Sequence, residues 1–173
     1  IGELATDVWW SWQPGARQLF RQLDMAAWRS TAHNPARMLR TLGAEVLQRA
    51  ADDPGFAQIY DAAIAGLDAA RQPAASWWRQ EGPDLGGKVI AYFSAEFALH
   101  QSLPIYAGGL GVLAGDHCKE ASDLCVPLVG IGFMYPQGYF HQRMSNDGWQ
   151  EEYYERLSWT DAPIEAALTP EGR

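Results

Sequence analysis

Ile105-Tyr106-Ala107-Gly108-Gly109-Leu110-Gly111-Val112-Leu113-Ala114-Gly115-Asp116 sets glycine at 108, 109 and 111, immediately before a helical pattern. Residues without Cβ atoms allow a tight turn to present its backbone N–H groups, and the first turn of a helix adds unpaired donors and a partial positive charge. That is the layout of an anion site, with phosphate the natural guest. Glycine pairs also make ordinary turns and close-packing points, so the stretch takes its meaning from its flanks.

Upstream, Lys88 to Ser94 reads as a buried strand. Downstream, a helix of about Leu110 to Leu124 is followed by a second buried strand, Pro127 to Tyr135. Strand, glycine turn, helix and strand make a βαβ unit of a parallel sheet, and ligands of such sheets collect at the carboxyl ends of the strands. The turn is therefore expected at the site. Gln137 to Met144 reads as a further strand and Ser145-Asn146-Asp147-Gly148 as the turn after it.

Residues 1–81 follow a helical grammar. Asn34-Pro35 supplies an N-cap and a proline at the first helical position, Met38, Leu39 and Leu42 an apolar stripe, and Gly43 the stop. Asp53-Pro54 repeats the start, and Phe56, Ile59, Tyr60, Ala63, Ile64 and Leu67 form one face of a helix running toward Trp77, bent or ended by Pro73. Glu81 to Gly87 concentrates turn formers and reads as a linker. The class is α/β, with a helical region at 1–81 and the start of a sheet domain at 82–173.

The chain has 173 residues, 47% hydrophobic and 20% charged, with a formal charge of −8. This is a globular composition, and an acidic balance without a Lys/Arg run argues against nucleic acid or an anionic membrane as partner. The uncharged run Val126 to Tyr135 falls short of the ~20 residues a membrane span needs, and no basic-then-apolar leader opens the sequence. Starting at Ile1 without Met, the chain reads as a fragment of a longer polypeptide. Cys118 and Cys125 read as reduced, core-facing thiols, which fits a cytoplasmic setting.

Other conspicuous residues read as structural. Trp9, Trp10, Trp12, Trp77, Trp78 and Trp149 are expected in packing rather than on ligand rings. His100, His117 and His141 lack metal-ligand spacing, so no metal is expected. Asp116 with Glu120 and Glu151 with Glu152 read as solvated carboxylates, and Asp147 as a turn residue.

Taken together, Tyr92-Phe93-Ser94-Ala95-Glu96-Phe97, Leu103 to His117, Gly138-Tyr139-Phe140 and Gly148-Trp149 resemble the α-glucan (glycogen/starch/maltodextrin) phosphorylases. Asp7-Val8-Trp9-Trp10-Ser11-Trp12, Trp28 and His33-Asn34-Pro35 are similar to the N-terminal extension of their short bacterial type. The resemblance implies the N-terminal half of a GT-B fold, with 82–173 an incomplete first part of its Rossmann-like domain. It implies phosphorolysis of an α-1,4-glucan by inorganic phosphate to α-glucose 1-phosphate. Pyridoxal 5'-phosphate is then bound by a lysine in a C-terminal domain absent from this chain, since neither Lys88 nor Lys119 stands in the family's cofactor motif.

On this resemblance Gly108 and Gly109 belong to the phosphate-facing loop, Leu110 lies beside the glucosyl unit, and Gly111 continues the turn. Glu96 supports the loop, and no catalytic residue is in this chain. Partners are glucan, phosphate and the rest of the polypeptide, with homo-oligomerisation left open. Cys125 replaces a usual glycine, Cys118 an aliphatic residue and Ala107 a serine. A glycogen/starch synthase-like transferase is disfavoured because its motif carries Lys-Thr before the glycines, where Tyr106-Ala107 stand here. A non-catalytic carbohydrate-binding module is the third class, and a cofactor lysine downstream in the parent gene would eliminate it.

The isolated chain is accordingly expected to be inert. Release of glucose 1-phosphate from maltodextrin and phosphate by the purified 173-residue chain would contradict this division of labour.

Overall fold

Seven short segments build the N-terminal layer: α1 (Gly2–Thr6), a 3-10 turn (Val8–Trp12), α2 (Pro14–Leu23), α3 (Met25–Ser30), α4 (Pro35–Thr41), α5 (Ala44–Asp52) and α6 (Pro54–Ala70). The computed structural model describes residues 1–72, 74, 76–154, 156–164 and 166–170; the expected bend at Pro73 lies outside them. Side-chain caps fix several of the starts. The Asp24, Asn34 and Asp53 side chains accept from Ala27, Arg37 and Gly55 N–H at 2.8, 3.0 and 2.8 Å, each cap being worth about 1 kcal/mol.

Helices this short hold through packing rather than propensity. Trp10, Phe20, Leu4, Leu19 and Met38 are fully enclosed, and Trp10 meets Phe20 and Trp28 edge-on at 5.6 and 5.7 Å. The early tryptophans therefore go into the core as expected, while Trp12 donates its indole N–H to Asp123 at 3.0 Å. Trp77 and Trp149 are the exceptions, 49% and 76% exposed.

Gly43 does not close α4. That helix ends at Thr41 with Leu42 already extended, and Gly43, at φ −71°, is the N-cap of α5. Nor does α6 run on toward Trp77: it stops at Ala70, and α7 (Trp77–Glu81) starts afresh on a Ser76 cap.

The second layer contains the expected crossover. β1 (Ile90–Phe93) pairs in parallel with β2 (Leu128–Ile131), Ile90 opposite Leu128 through Phe93 opposite Ile131, and α8 (Gly109–Asp123) connects them. Both strands are shorter than the 88–94 and 127–135 runs, and they are not buried. Phe93, Val129 and Ile131 are 72%, 49% and 41% exposed. An apolar run is what a strand covered on both faces carries, but among the described residues this sheet has two strands, with cover from α8 and Phe97.

Continuing along the chain, the 137–144 strand contracts to β3 (His141–Met144), and Gln137 forms a lone bridge to Arg156. β3 pairs antiparallel with β4 (Gln150–Tyr153) around the expected 145–148 turn, where Gly148 takes φ +81°. β4 escaped the sequence reading because Gln150-Glu151-Glu152-Tyr153 is exposed throughout and has no apolar alternation. The architecture is thus mixed: a helical layer, a small parallel sheet with its crossover helix, and a hairpin.

Two helices end in left-handed residues other than glycine. At α8, Cys125 has φ +53°, with Cys125 N–H donating to Ser122 O at 3.0 Å and Val126 N–H to Ala121 O at 2.8 Å, the Schellman pattern. Replacing the usual glycine thus leaves the helix end intact and places a side chain in a conformation that glycine adopts without strain. Ala32 and His33, at φ +52° and +60°, close α3 in the same way.

The two layers meet at His100, whose ring lies 4.7 Å from that of Trp10. Ser102 N–H donates to His100 Nδ1 at 3.1 Å, so the imidazole is neutral. Burial first, then the charges of His33 and Lys119, lower its pKa from 6.5 to about 4. The unfolded chain therefore protonates first as pH falls. Stability should decline between pH 6.5 and about 4, by at most ~1.4 kcal/mol per pH unit from this group, and His100→Gln should remove that part of the slope in chemical denaturation. An unchanged slope in the variant would contradict the assignment.

Candidate functional site

The glycine turn stands where the carboxyl end of β1 and the N-terminus of α8 converge. After β1, the Ser94 hydroxyl donates to Glu96 O at 2.8 Å and accepts from Glu96 N–H at 3.3 Å, fixing Glu96. Phe97 then turns inward, 6% exposed, over the end of β2, where Gly130 and, just past the strand, Gly132 leave room for its ring.

Small residues on α8 let it lie against this segment. Gly111, Ala114 and Gly115 are buried, and Ala98 N–H donates to Gly111 O at 2.8 Å. A Cβ at Gly115 would overlap the Ala98 carbonyl, and one at Gly111 would stand 2.7 Å from Tyr106 Cβ and 3.0 Å from Glu96 Oε2. Gly115 was not singled out in the sequence. Its signal was available: Gly111 and Gly115 are spaced i, i+4, on one helix face.

Across the gap Gly111 leaves, Glu96 Oε2 accepts from Ala107 N–H at 3.1 Å and Gly108 N–H at 3.2 Å. These bonds, with Gly111 N–H contributing less, hold the Glu96 carboxyl below its ordinary pKa against a smaller opposing effect of burial. The carboxylate is thus seated on the leading edge of the turn. Gly109 and Leu110, the first two residues of α8, have no carbonyl one helical turn back to receive their N–H groups.

The turn residues consequently divide into two kinds. Gly111 is enclosed and serves packing. Gly108, Gly109 and Leu110 are exposed, and a Cβ at Gly108 or Gly109 would meet nothing within 4 Å. Ala107 likewise stands exposed, its N–H on Glu96. Neither Gly108 nor Gly109 has a positive φ, so no backbone strain calls for glycine at either. Their freedom from side chains leaves open space beside the helix end.

Elsewhere, His117 and His141 are exposed and ring-packed on Tyr92 and Tyr153. Asp116 pairs with Lys119 at 3.8 Å, and Glu120 is exposed. Cys118 and Cys125 are free thiols lining one cavity of about 560 Å³ between α8 and β2, and burial raises the Cys118 pKa. Among the described residues no group of three or more His, Cys, Asp and Glu is placed to hold a metal ion, and no helix is long and apolar enough to cross a membrane.

The amino-acid sequence has counterparts among known proteins. A family model described as "Protein of unknown function (DUF3417)" matches residues 1–103, and the chain belongs to that family. Over its whole length the chain is 39% identical to a glycogen phosphorylase of Aquifex aeolicus, of which it covers 24%. It is 40% identical over 171 residues to a glycogen phosphorylase of Mycobacterium tuberculosis, covering 95% of this chain and 20% of the relative. With a maltodextrin phosphorylase of Thermococcus litoralis the identity is 36% over 99% of this chain and 20% of the relative. The resemblance read from the motifs is therefore sustained along the chain, which spans a quarter or less of the length of these relatives. No solved structure matches it.

The division between packing and open glycines is directly measurable by thermal denaturation. Gly115→Ala should lower stability by about 1–3 kcal/mol because a Cβ there meets backbone that cannot rotate away. Gly109→Ala should leave stability unchanged or raise it by up to ~1 kcal/mol, since alanine is the better helix former and has space. The reverse order would contradict the packing described.

Proposed function

We propose that this chain is the N-terminal part of an α-glucan phosphorylase and supplies one wall of its active site, the wall that receives phosphate. The observation that carries the reading is the open start of α8. Glu96 takes the two leading N–H groups, while the exposed residues Gly109 and Leu110, whose N–H groups have no carbonyl a helical turn back, and the space beside Gly109 remain for a larger anion.

The reaction is phosphorolysis: phosphate displaces the glucan chain from its terminal α-1,4-linked glucosyl unit and leaves α-glucose 1-phosphate. An oxocarbenium-like sugar and a phosphate must be held together away from water, and backbone donors already fixed at a helix start reorganise little as charge develops. Gly108 and Gly109 let the phosphate oxygens approach, Leu110 borders the sugar, and Glu96 keeps the turn in register. Its role is positional.

The open cradle at Gly108 and Gly109 also fits the phosphate of pyridoxal 5'-phosphate, held by a lysine elsewhere in the polypeptide. When bound, that cofactor supplies the acid–base chemistry these residues lack. The β1–α8–β2 unit is in this reading the start of a Rossmann-like domain, the N-terminal half of a GT-B enzyme. The remaining polypeptide covers the exposed sheet, and the free Cys118 and Cys125 thiols fit a cytoplasmic enzyme.

Gly109→Val in the full-length protein should fold, because nothing lies within 4 Å of the new Cβ. It should nevertheless lose on the order of 10²–10³ in turnover as the branched side chain displaces phosphate from a preorganised donor. Asp147→Ala, in the exposed hairpin turn, should leave turnover nearly unchanged. Near-normal turnover and phosphate KM in folded Gly109→Val would remove the glycine turn from the site.

A further inference from the structure

Residues 97–105 form a loop both of whose ends stand at the glycine turn. At its base, Phe97 N–H donates to Ile105 O at 3.1 Å and Ala98 N–H to Gly111 O at 2.8 Å, while Ala107 and Gly108 N–H reach the Glu96 carboxylate at 3.1 and 3.2 Å. Inside the loop, Ile105 N–H donates to Leu103 O and Leu103 N–H to His100 O, each at 2.9 Å, with the Leu103 side chain buried. Bonds this closely spaced tie the position of the loop's tip to that of its base.

The tip is shaped by His100. Its Nδ1 accepts from Ser102 N–H at 3.1 Å and lies 2.9 Å from Ser102 Oγ, closing a turn of the kind that asparagine side chains make with the backbone two residues on. The ring rests on the helical layer, 4.7 Å from Trp10, which is itself enclosed with Phe20 and Trp28. Beside it, Gln101 Nε2 donates to the carbonyl of left-handed Ala32 and lies 3.3 Å from His33 Nδ1. Burial, with the charges of His33 and Lys119, lowers the imidazole pKa to about 4, so Nδ1 stays an acceptor through the neutral range. A ring that only filled space against Trp10 would need no nitrogen turned toward Ser102.

We propose that His100 is a positioning residue for the glycine turn: its Nδ1 sets the tip of the 97–105 loop against the helical layer, and the loop delivers Ala107 and Gly108 to Glu96, leaving Gly109 and Leu110 open beside them. The proposal rests on the reading of that turn as the phosphate site and adds a residue to it. His100 acts through the backbone of the loop and does not touch phosphate. The helical layer thereby gains a task beyond its own packing, since Trp10 and the Ala32 carbonyl are the seat of the tip.

The test compares His100→Phe with His100→Asn in the full-length protein, read by glucose 1-phosphate release from maltoheptaose and phosphate. Phenylalanine fills the place of the ring against Trp10 and gives Ser102 N–H no acceptor; asparagine leaves that place empty and supplies one. Turnover should fall about 10- to 100-fold in His100→Phe with maltoheptaose KM unchanged, and stay within about threefold of the parent in His100→Asn. A role in packing alone gives the opposite order, because only phenylalanine keeps the contact with Trp10. Hydrogen exchange followed by mass spectrometry is the second arm: peptides across 103–110 should exchange about tenfold faster in His100→Phe, with those of α2 and α6 unchanged. Parent-like turnover or parent-like exchange in folded His100→Phe would overturn the positioning role while leaving phosphorolysis standing. Should His100→Phe fail to fold, His100→Asn decides, near-parent turnover upholding the role and a loss of about tenfold or more overturning it. If the parent releases no glucose 1-phosphate, the proposed reaction fails and exchange alone decides: faster exchange across 103–110 in His100→Phe upholds the coupling of His100 to the turn, and unchanged exchange overturns it.

Discussion

Close approach between the backbone of α8 and the segment 96–98 is the constraint on which the arrangement depends. Ala98 N–H reaches Gly111 O at 2.8 Å only because Gly111 and Gly115 present no side chains along that face. The same approach brings Glu96 to the start of α8, where its carboxylate receives Ala107 and Gly108 N–H. A larger residue at 111 or 115 would lift the helix from the strand end and separate the carboxylate from the turn. The glycine run thus performs two jobs that are adjacent in sequence and distinct in physics: its inner members permit contact, and its outer members leave room.

The electrostatics of the turn follow from that contact. Glu96 does not quench the helix start, because it engages mainly the Ala107 and Gly108 donors ahead of α8, with Gly111 N–H contributing less, and leaves those of Gly109 and Leu110. Its depressed pKa keeps it ionised through the neutral range, so the turn is braced by a charge that does not titrate there. On the proposed function, an incoming phosphate would meet N–H groups whose geometry is already set, together with a negative charge that keeps it from the occupied side.

Much of this order was legible in the sequence because it is local. Asn34-Pro35 and Asp53-Pro54 start helices through caps that act within three residues, and the βαβ crossover declared itself through two apolar runs around a glycine-led helix. Nonlocal features were harder. Nothing near Gly43 distinguishes the end of one helix from the N-cap of the next, and β4 is held by pairing to β3 rather than by its own pattern. Strand burial was misjudged because an apolar sequence records the surroundings a strand is suited to, whereas exposure here depends on which elements lie beside it. At the candidate site, the glycines and Glu96 were visible as motifs; that Gly111 packs while Gly109 stands open follows only from three-dimensional distances.

The most direct test of the central claim is a crystal structure of the full-length protein with added pyridoxal 5'-phosphate, phosphate and a maltooligosaccharide. The account predicts a phosphate oxygen within hydrogen-bond distance of the Gly109 or Leu110 N–H, with Glu96 still accepting from Ala107 and Gly108. A phosphate bound away from this helix start, or a Glu96 carboxylate that has left the turn, would contradict it.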